Sequence, residues 1–250
     1  MTVAACAELV QRGDPDRFLA VMAAPVEARA QLLPLYAFNL EIARAPWVTQ
    51  EPLIAEMRLQ WWRDVVENAA SGAARAHEVA GPLHDLIRDF GLPVEVMDRL
   101  IAARRWDIHA DPHEGPEGLA TYLEETGAGL MWLAARALGA PDGAEAAVRS
   151  YGWAVATAMY IRAVPELQAR GRQPLPDGMS QADLARLGLE KLALARKARK
   201  TVPKEVAPAL LSGWQTEGIL RQVVAGRSSS GLSEAQKRWR LLWQAFTGRW

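Results

Sequence analysis

Apolar side chains recur at three- and four-residue spacing through most of this chain, and no stretch alternates in the Val-, Ile- and Thr-rich manner of a half-buried strand. The pattern predicts an all-α protein. Helices are expected over 15–23, 26–44, 51–71, 76–90, 93–110, 117–138, 144–169, 181–200, 205–225 and 232–247. Ala45-Pro46, Gly91-Leu92-Pro93, Asp111-Pro112, Gly139 to Gly143 and Gly171 to Gly178 combine residues that stop helices or favour turns. No segment repeats at a fixed period. Gly226 to Gly231, with three serines, is the best candidate for a flexible loop but is too short to separate domains. Half of the 250 residues are hydrophobic, enough for one sizeable core, so 1–250 is expected to fold as a single domain.

Charge is balanced overall but not along the chain. Residues 1–150 carry 13 basic and 22 acidic side chains, and residues 151–250 carry 16 and 7. Such a split suits a molecule that docks its basic side on an anionic partner or membrane, although the two sets of charges can also interleave once folded. Cys6 is the only cysteine, which excludes an intrachain disulfide and a thiolate metal cluster and fits a reducing compartment. Met1 to Asp16 has neither the basic-then-apolar order of a secretory signal nor the Arg-rich, acid-poor pattern of a transit peptide. A cytoplasmic location is expected. No run of about 18 apolar residues occurs, which leaves peripheral contact at the inner face of a membrane as the way to meet a bilayer.

Three segments carry a family resemblance. Leu35-Tyr36-Ala37-Phe38-Asn39, followed by Trp61-Trp62, resembles the L-Y-A-F helix and the next-helix tryptophan of the squalene and phytoene synthase family. Tyr122-Leu123-Glu124-Glu125-Thr126-Gly127-Ala128 is similar to the family's Y-x-x-x-T-A-G helix. Tyr151 to Pro176, with Arg162, Pro165, Gly171-Arg172 and Leu175-Pro176, resembles its R-D-x-x-E-D-x-x-x-G-R-x-Y-L-P stretch. The resemblance implies a helical bundle of the isoprenoid (terpenoid) synthase type. It also implies head-to-head joining of two prenyl diphosphates, with magnesium held by two aspartate clusters.

Those clusters are missing. The first site reads Asn39-Leu40-Glu41-Ile42-Ala43-Arg44-Ala45, one carboxylate beside an arginine that repels a cation. The second reads Arg162-Ala163-Val164-Pro165-Glu166, and beyond residue 150 no two acids stand three or four positions apart. Ala37 to Ala43 together with Met57 to Trp62 resembles the noncatalytic branch of the family, which includes a mitochondrial complex I assembly factor. The expectation is therefore a protein that helps build a respiratory complex, or binds an isoprenoid or phospholipid, without catalysis or cofactor. An active prenyl transferase using magnesium on displaced carboxylates is the alternative, and a purely structural assembly partner is the third reading. In the first, Tyr36, Phe38, Asn39 and Glu41 line one wall of a vestigial pocket, with Arg162 and Arg172 opposite. Glu41 also reads as a buried hydrogen-bond partner between helices.

Asp85 with Asp89, and Asp107 with Asp111, have the spacing that puts two carboxylates on one helix face. The first pair flanks Arg88 at a helix end where solvated charges are usual. The second sits with His109 and His113 around Pro112, which is expected to end the helix and leave a surface cluster. Lys191, Arg196, Lys197, Arg199, Lys200 and Lys204 form a basic run suited to phosphates or lipid headgroups, in part explained by a helix C-terminus that favours cations. Trp239, Leu242, Trp243 and Phe246 share one helical face, suited to a membrane interface, a partner groove or packing on the core. Nucleic-acid binding is not expected, because the tryptophans recur at core-like positions. No phosphate-binding glycine loop or serine elbow occurs.

Overall fold

A computed structural model describes residues 3–69, 72–109, 111–227, 234–248 and 250, and among them there is helix but no strand. The chain runs α1 (Val3–Gly13), α2 (Pro15–Met22), α3 (Val26–Arg44), α4 (Pro52–Asn68), α5 (Ala80–Phe90), α6 (Val94–Ala103) and α7 (Gly115–Leu123). It continues through a π-turn (Glu124–Ala128) into α8 (Gly129–Ala137), then α9 (Glu145–Ala169), α10 (Gln181–Lys197), α11 (Ala207–Leu210), α12 (Thr216–Val224) and α13 (Glu234–Thr247). The all-α expectation holds.

Local chemistry sets several ends. The Asp14 carboxylate accepts from the Arg17 amide at 3.0 Å and Pro15 opens the first turn of α2. Ser180 and Asp183 form a reciprocal capping box on α10. Gly91, at φ 58°, closes α5 in the left-handed conformation that costs glycine nothing. Other expected ends shift. α1 was not expected, yet Cys6 and Val10, one turn apart, bury a face of it against α3. The expected helix over 93–110 stops at Ala103 and tightens into a 3₁₀ turn, Arg104–Asp107. The one over 205–225 is broken around Pro208 and Gly213 into α11, short 3₁₀ turns and α12. Residues 228–231 of the expected loop and the first two residues of the 232–247 helix lie outside the described residues.

α9 is the axis of the bundle. Up to Ile161 its residues bury side chains on most of its circumference, and only its last two turns, with Arg162, Glu166 and Gln168, turn a polar face to water. Val148, Tyr151, Ala154 and Val155 join an apolar cluster with α3, α5, α6 and α8, whereas Trp153, Ala158, Ile161 and Val164 join a second with α7, α10 and α12. Where the π-turn crosses α9, two glycines let the backbones meet. A Cβ on Gly127 would lie 2.1 Å from that of Ala156, and one on Gly152 would lie 2.6 Å from that of Met131. No larger residue fits that crossing, and it forms the floor of a cavity.

Candidate functional site

The cavity has a volume of about 360 Å³. Tyr36, Asn39 and Ala43 of α3 form one wall, and Gly152, Val155, Met159 and Ala163 of α9 form the facing one. Thr126, Gly127, Leu130 and Met131 close it between them. Its lining is mostly apolar, with cationic groups from Arg17, Arg104 and Arg170.

A buried polar cluster stands at one end. Arg104 donates to the Tyr122 hydroxyl at 2.9 Å and to Asp107 Oδ2 at 3.4 Å. The Tyr122 hydroxyl donates in turn to Asp107, 3.2 and 3.1 Å from its two oxygens. Asp107 is 5% exposed, and burial pushes its carboxyl above the usual range, against the pull of Arg104 and Tyr122. Arg172 donates to the carbonyls of Trp106 and Asp107 and lies over the Trp106 and Trp47 rings. Arg170 lies 4.7 Å from the Trp47 ring centroid and pairs with Glu166 at 2.6 Å.

His113 stacks on Trp106, centroids 3.9 Å apart. The Tyr160 hydroxyl gives its proton to the Pro174 carbonyl at 2.6 Å, so its oxygen accepts from His113 Nε2–H at 2.9 Å. Burial lowers the His113 pKa to about 4 and keeps the ring neutral near pH 7.

Two polar groups on the lining lack partners. Asn39, only 6% exposed, has an unpaired Oδ1, and Arg104 has an unpaired Nε. Native interiors rarely leave such atoms unmatched, and both border the cavity.

The lining does not fit magnesium. Magnesium needs several free oxygen donors in octahedral array. The carboxylates that reach this cavity are Asp107, held by Arg104 and Tyr122, and Glu166, held by Arg170. Among the described residues no three His, Cys, Asp or Glu side chains gather in a way that could hold a metal ion.

Of the six expected pocket residues, Tyr36 and Asn39 line the cavity. Phe38 does not: it is fully buried on the other side of α3, edge-on to Trp62 at 5.4 Å. Glu41 is half-buried and outside the lining. Arg162 falls just off the lining stripe of α9 and turns to Asp16 at 3.2 Å. Arg172 stands behind the polar cluster rather than opposite α3.

The acid pairs also resolve. Asp85 and Asp89 are exposed and both pair with Arg88. The expected surface cluster is a buried one in part: Asp107 and His113 are inside, whereas His109 meets Glu56 at 3.2 Å and Asp111 is exposed. In the basic run, Arg196 and Arg199 grip the carbonyls of Trp250 and Gly248, and Lys191 sits over Trp153. Lys197 and Lys200 face solvent. The aromatic face of α13 does not pack on the core: Trp239, Trp243 and Phe246 are 71%, 58% and 90% exposed.

Sequence reasoning missed Arg17, Arg104, Arg170 and Trp47 as lining residues. Arg104 and Asp107 are three apart, a visible signal, but nothing local ties Arg17 to Tyr36, over whose ring it lies at 5.0 Å.

An apolar cavity enclosed by such a bundle defines a protein of the isoprenoid synthase fold. Two solved structures share it: a dehydrosqualene synthase in complex with ligand, with TM-score 0.75 and 13% identity over 98% of this chain and 95% of that one, and the squalene synthase HpnC from Alicyclobacillus acidocaldarius, with TM-score 0.74 and 18% identity over 90% and 93%. The squalene/phytoene synthase pattern matches residues 10–226, and the chain belongs to that family. Human "NADH dehydrogenase (ubiquinone) complex I, assembly factor 6" is 27% identical over 241 residues, spanning 87% of this chain and 72% of its own length.

Proposed function

We propose that this chain is a noncatalytic member of the squalene/phytoene synthase family that acts in the assembly of respiratory complex I. It works in the cytoplasm at the inner face of the membrane, without a metal cofactor. The observation that carries the reading is the state of the cavity's acids. Asp107 is held by Arg104 and Tyr122, and Glu166 stands mostly exposed beside Arg170, so among the described residues no carboxylate cluster faces the cavity to hold the metal that drives diphosphate departure. The assembly role is drawn from the relatives named for that role.

The cavity itself remains open, which favours a bound amphiphile over a purely structural bundle. Its apolar walls suit an isoprenoid or acyl chain, while its arginines Arg17, Arg104 and Arg170 already pair with Asp14, Asp107 and Glu166. Asn39 Oδ1 and Arg104 Nε offer the unmatched hydrogen-bonding positions.

Two measurements test the proposal. Purified protein incubated with radiolabelled farnesyl or geranylgeranyl diphosphate and magnesium or manganese is expected to yield no hydrocarbon and no cyclopropyl intermediate beside an active control. Deleting the gene in its host is expected to deplete assembled complex I on native gels and leave subcomplexes. Metal-dependent turnover, with complex I intact in the deletion strain, reverses the assignment in favour of a prenyl transferase.

A further inference from the structure

A second cavity, of about 650 Å³, lies between α10, α12 and α13, away from the first. Tyr151, Trp214, Trp239, Trp243 and Trp250 wall it, and Arg196, Arg221 and Arg240 border it. Two of these arginines are occupied, since Glu217 pairs with Arg196 and Arg221, each at 2.8 Å. Arg240 makes no hydrogen bond or ion pair among the described residues. Thr216, 1% exposed, points an unpartnered Oγ1 at the same space. A free guanidinium and an unmatched hydroxyl in an indole-walled groove suit a phosphate ester.

The groove opens beside the exposed stripe of α13, where Trp239, Leu242, Trp243 and Phe246 recur at i, i+3, i+4 and i+7. From residue 191 to 250 the sequence carries 12 basic and 3 acidic side chains. A protein partner could use the apolar stripe, but the added excess of positive charge and the indoles match the interface of an anionic bilayer.

We infer that the α10–α12–α13 groove takes the phosphate of an anionic phospholipid while Trp239, Leu242, Trp243 and Phe246 enter the interfacial layer of the bilayer. The site is independent of the first cavity and of the assembly role. It orients the protein by laying α13 flat on the membrane, because no described helix is long and apolar enough to cross one.

The test is vesicle sedimentation of the full chain, with phosphatidylcholine alone or mixed with phosphatidylglycerol, read also by tryptophan emission. Partitioning is expected to be about tenfold stronger on the mixed vesicles, to fall with salt, and to shift emission to the blue. Leu242→Ser with Phe246→Ser is expected to weaken it about tenfold or more, and Arg240→Gln about fivefold. All three side chains avoid the core, and unchanged thermal unfolding confirms that each variant is folded. Equal binding to both vesicles, or parent-like partitioning of the Leu242/Phe246 variant, overturns the inference. So does inorganic phosphate binding without any vesicle binding, which marks a soluble-anion site. Dimerisation that the Leu242/Phe246 variant abolishes, again without vesicle binding, assigns the stripe to a second copy and also overturns it.

Discussion

The Tyr122 hydroxyl donates to Asp107 within 3.2 Å of both its oxygens, and Arg104 donates to that hydroxyl and to Asp107 from the same side. A carboxylate at the cavity's end is thereby locked into a buried ion pair. Attraction in such a site only offsets the cost of taking both charges out of water, so losing one partner is worse than losing both.

Asp107→Ala is therefore expected to destabilise the fold by about 3–5 kcal/mol, because it strands the Arg104 guanidinium. Arg104→Met with Asp107→Leu should recover most of that loss. Urea unfolding of the two variants decides it; a double variant as unstable as the single one would contradict the ion-pair account.

Gly127→Ala gains about 1 kcal/mol in helix propensity but drives two Cβ atoms to 2.1 Å. The clash lies between backbones that cannot swing away, and overpacking of this kind costs about 1–3 kcal/mol or more. A lowered melting temperature is expected, with recovery when Ala156→Gly is added. Absence of rescue would place the strain elsewhere.

Stability should fall on mild acidification through His113. Its folded pKa is lowered to about 4, below the unfolded value of about 6.5, so between these values the unfolded chain binds more protons and stability rises with pH. The contribution is fully present above about pH 6.5 and is lost as pH falls toward 4, on the order of 3 kcal/mol. His113→Gln keeps a donor for Tyr160 and should flatten this part of the profile in chemical unfolding from pH 7.5 to 4.5.

Asp16 joins four parts of the chain, accepting from Arg162 at 3.2 Å, Gln215 at 2.8 Å and Lys237 at 3.3 Å. Burial works against its charge, but these three partners prevail and hold its carboxyl below the usual carboxylate range. A depressed folded pKa means stability present above the unfolded value of about 3.9 and lost as pH falls through the folded one. Asp16→Asn is expected to cost about 1–3 kcal/mol and to speed amide exchange across α13. Unchanged exchange there would show that the helix is held by its other contacts, Leu241, Trp250 and the bonds from Arg196, Arg199 and Gln244.

Some features were visible because they depend on neighbours in sequence. The segment Tyr122 to Ala128 stood out as a motif, and its glycine sits where the chain needs one. Tyr36 and Asn39, three apart, share the cavity face of α3. Phe38 was misread because two positions on a helix turn a side chain to the far side, here onto Trp62. Arg162 was misread because one residue of helical phase separates the lining stripe from the Asp16 network. Arg17, Arg104 and Arg170 come from three separate elements, and no local spacing brings them to one rim.

By itself, the sequence determined the helical class, through apolar spacing, and the family, through three ordered motifs. It also left Glu41 as the one acid from Asn39 to Ala45, and Glu166 as the one acid from Arg162 to Glu166. Tertiary structure decided which acids reach the cavity and what holds them. Helix crossing at Gly127 and Gly152 left the cavity open, long-range packing set Arg104 and Arg170 against its remaining acids, and α13 docked through Leu241 with its aromatic face outward. These are relations between residues far apart in the chain, fixed by which faces the helices bury against one another rather than by any one helix's own pattern.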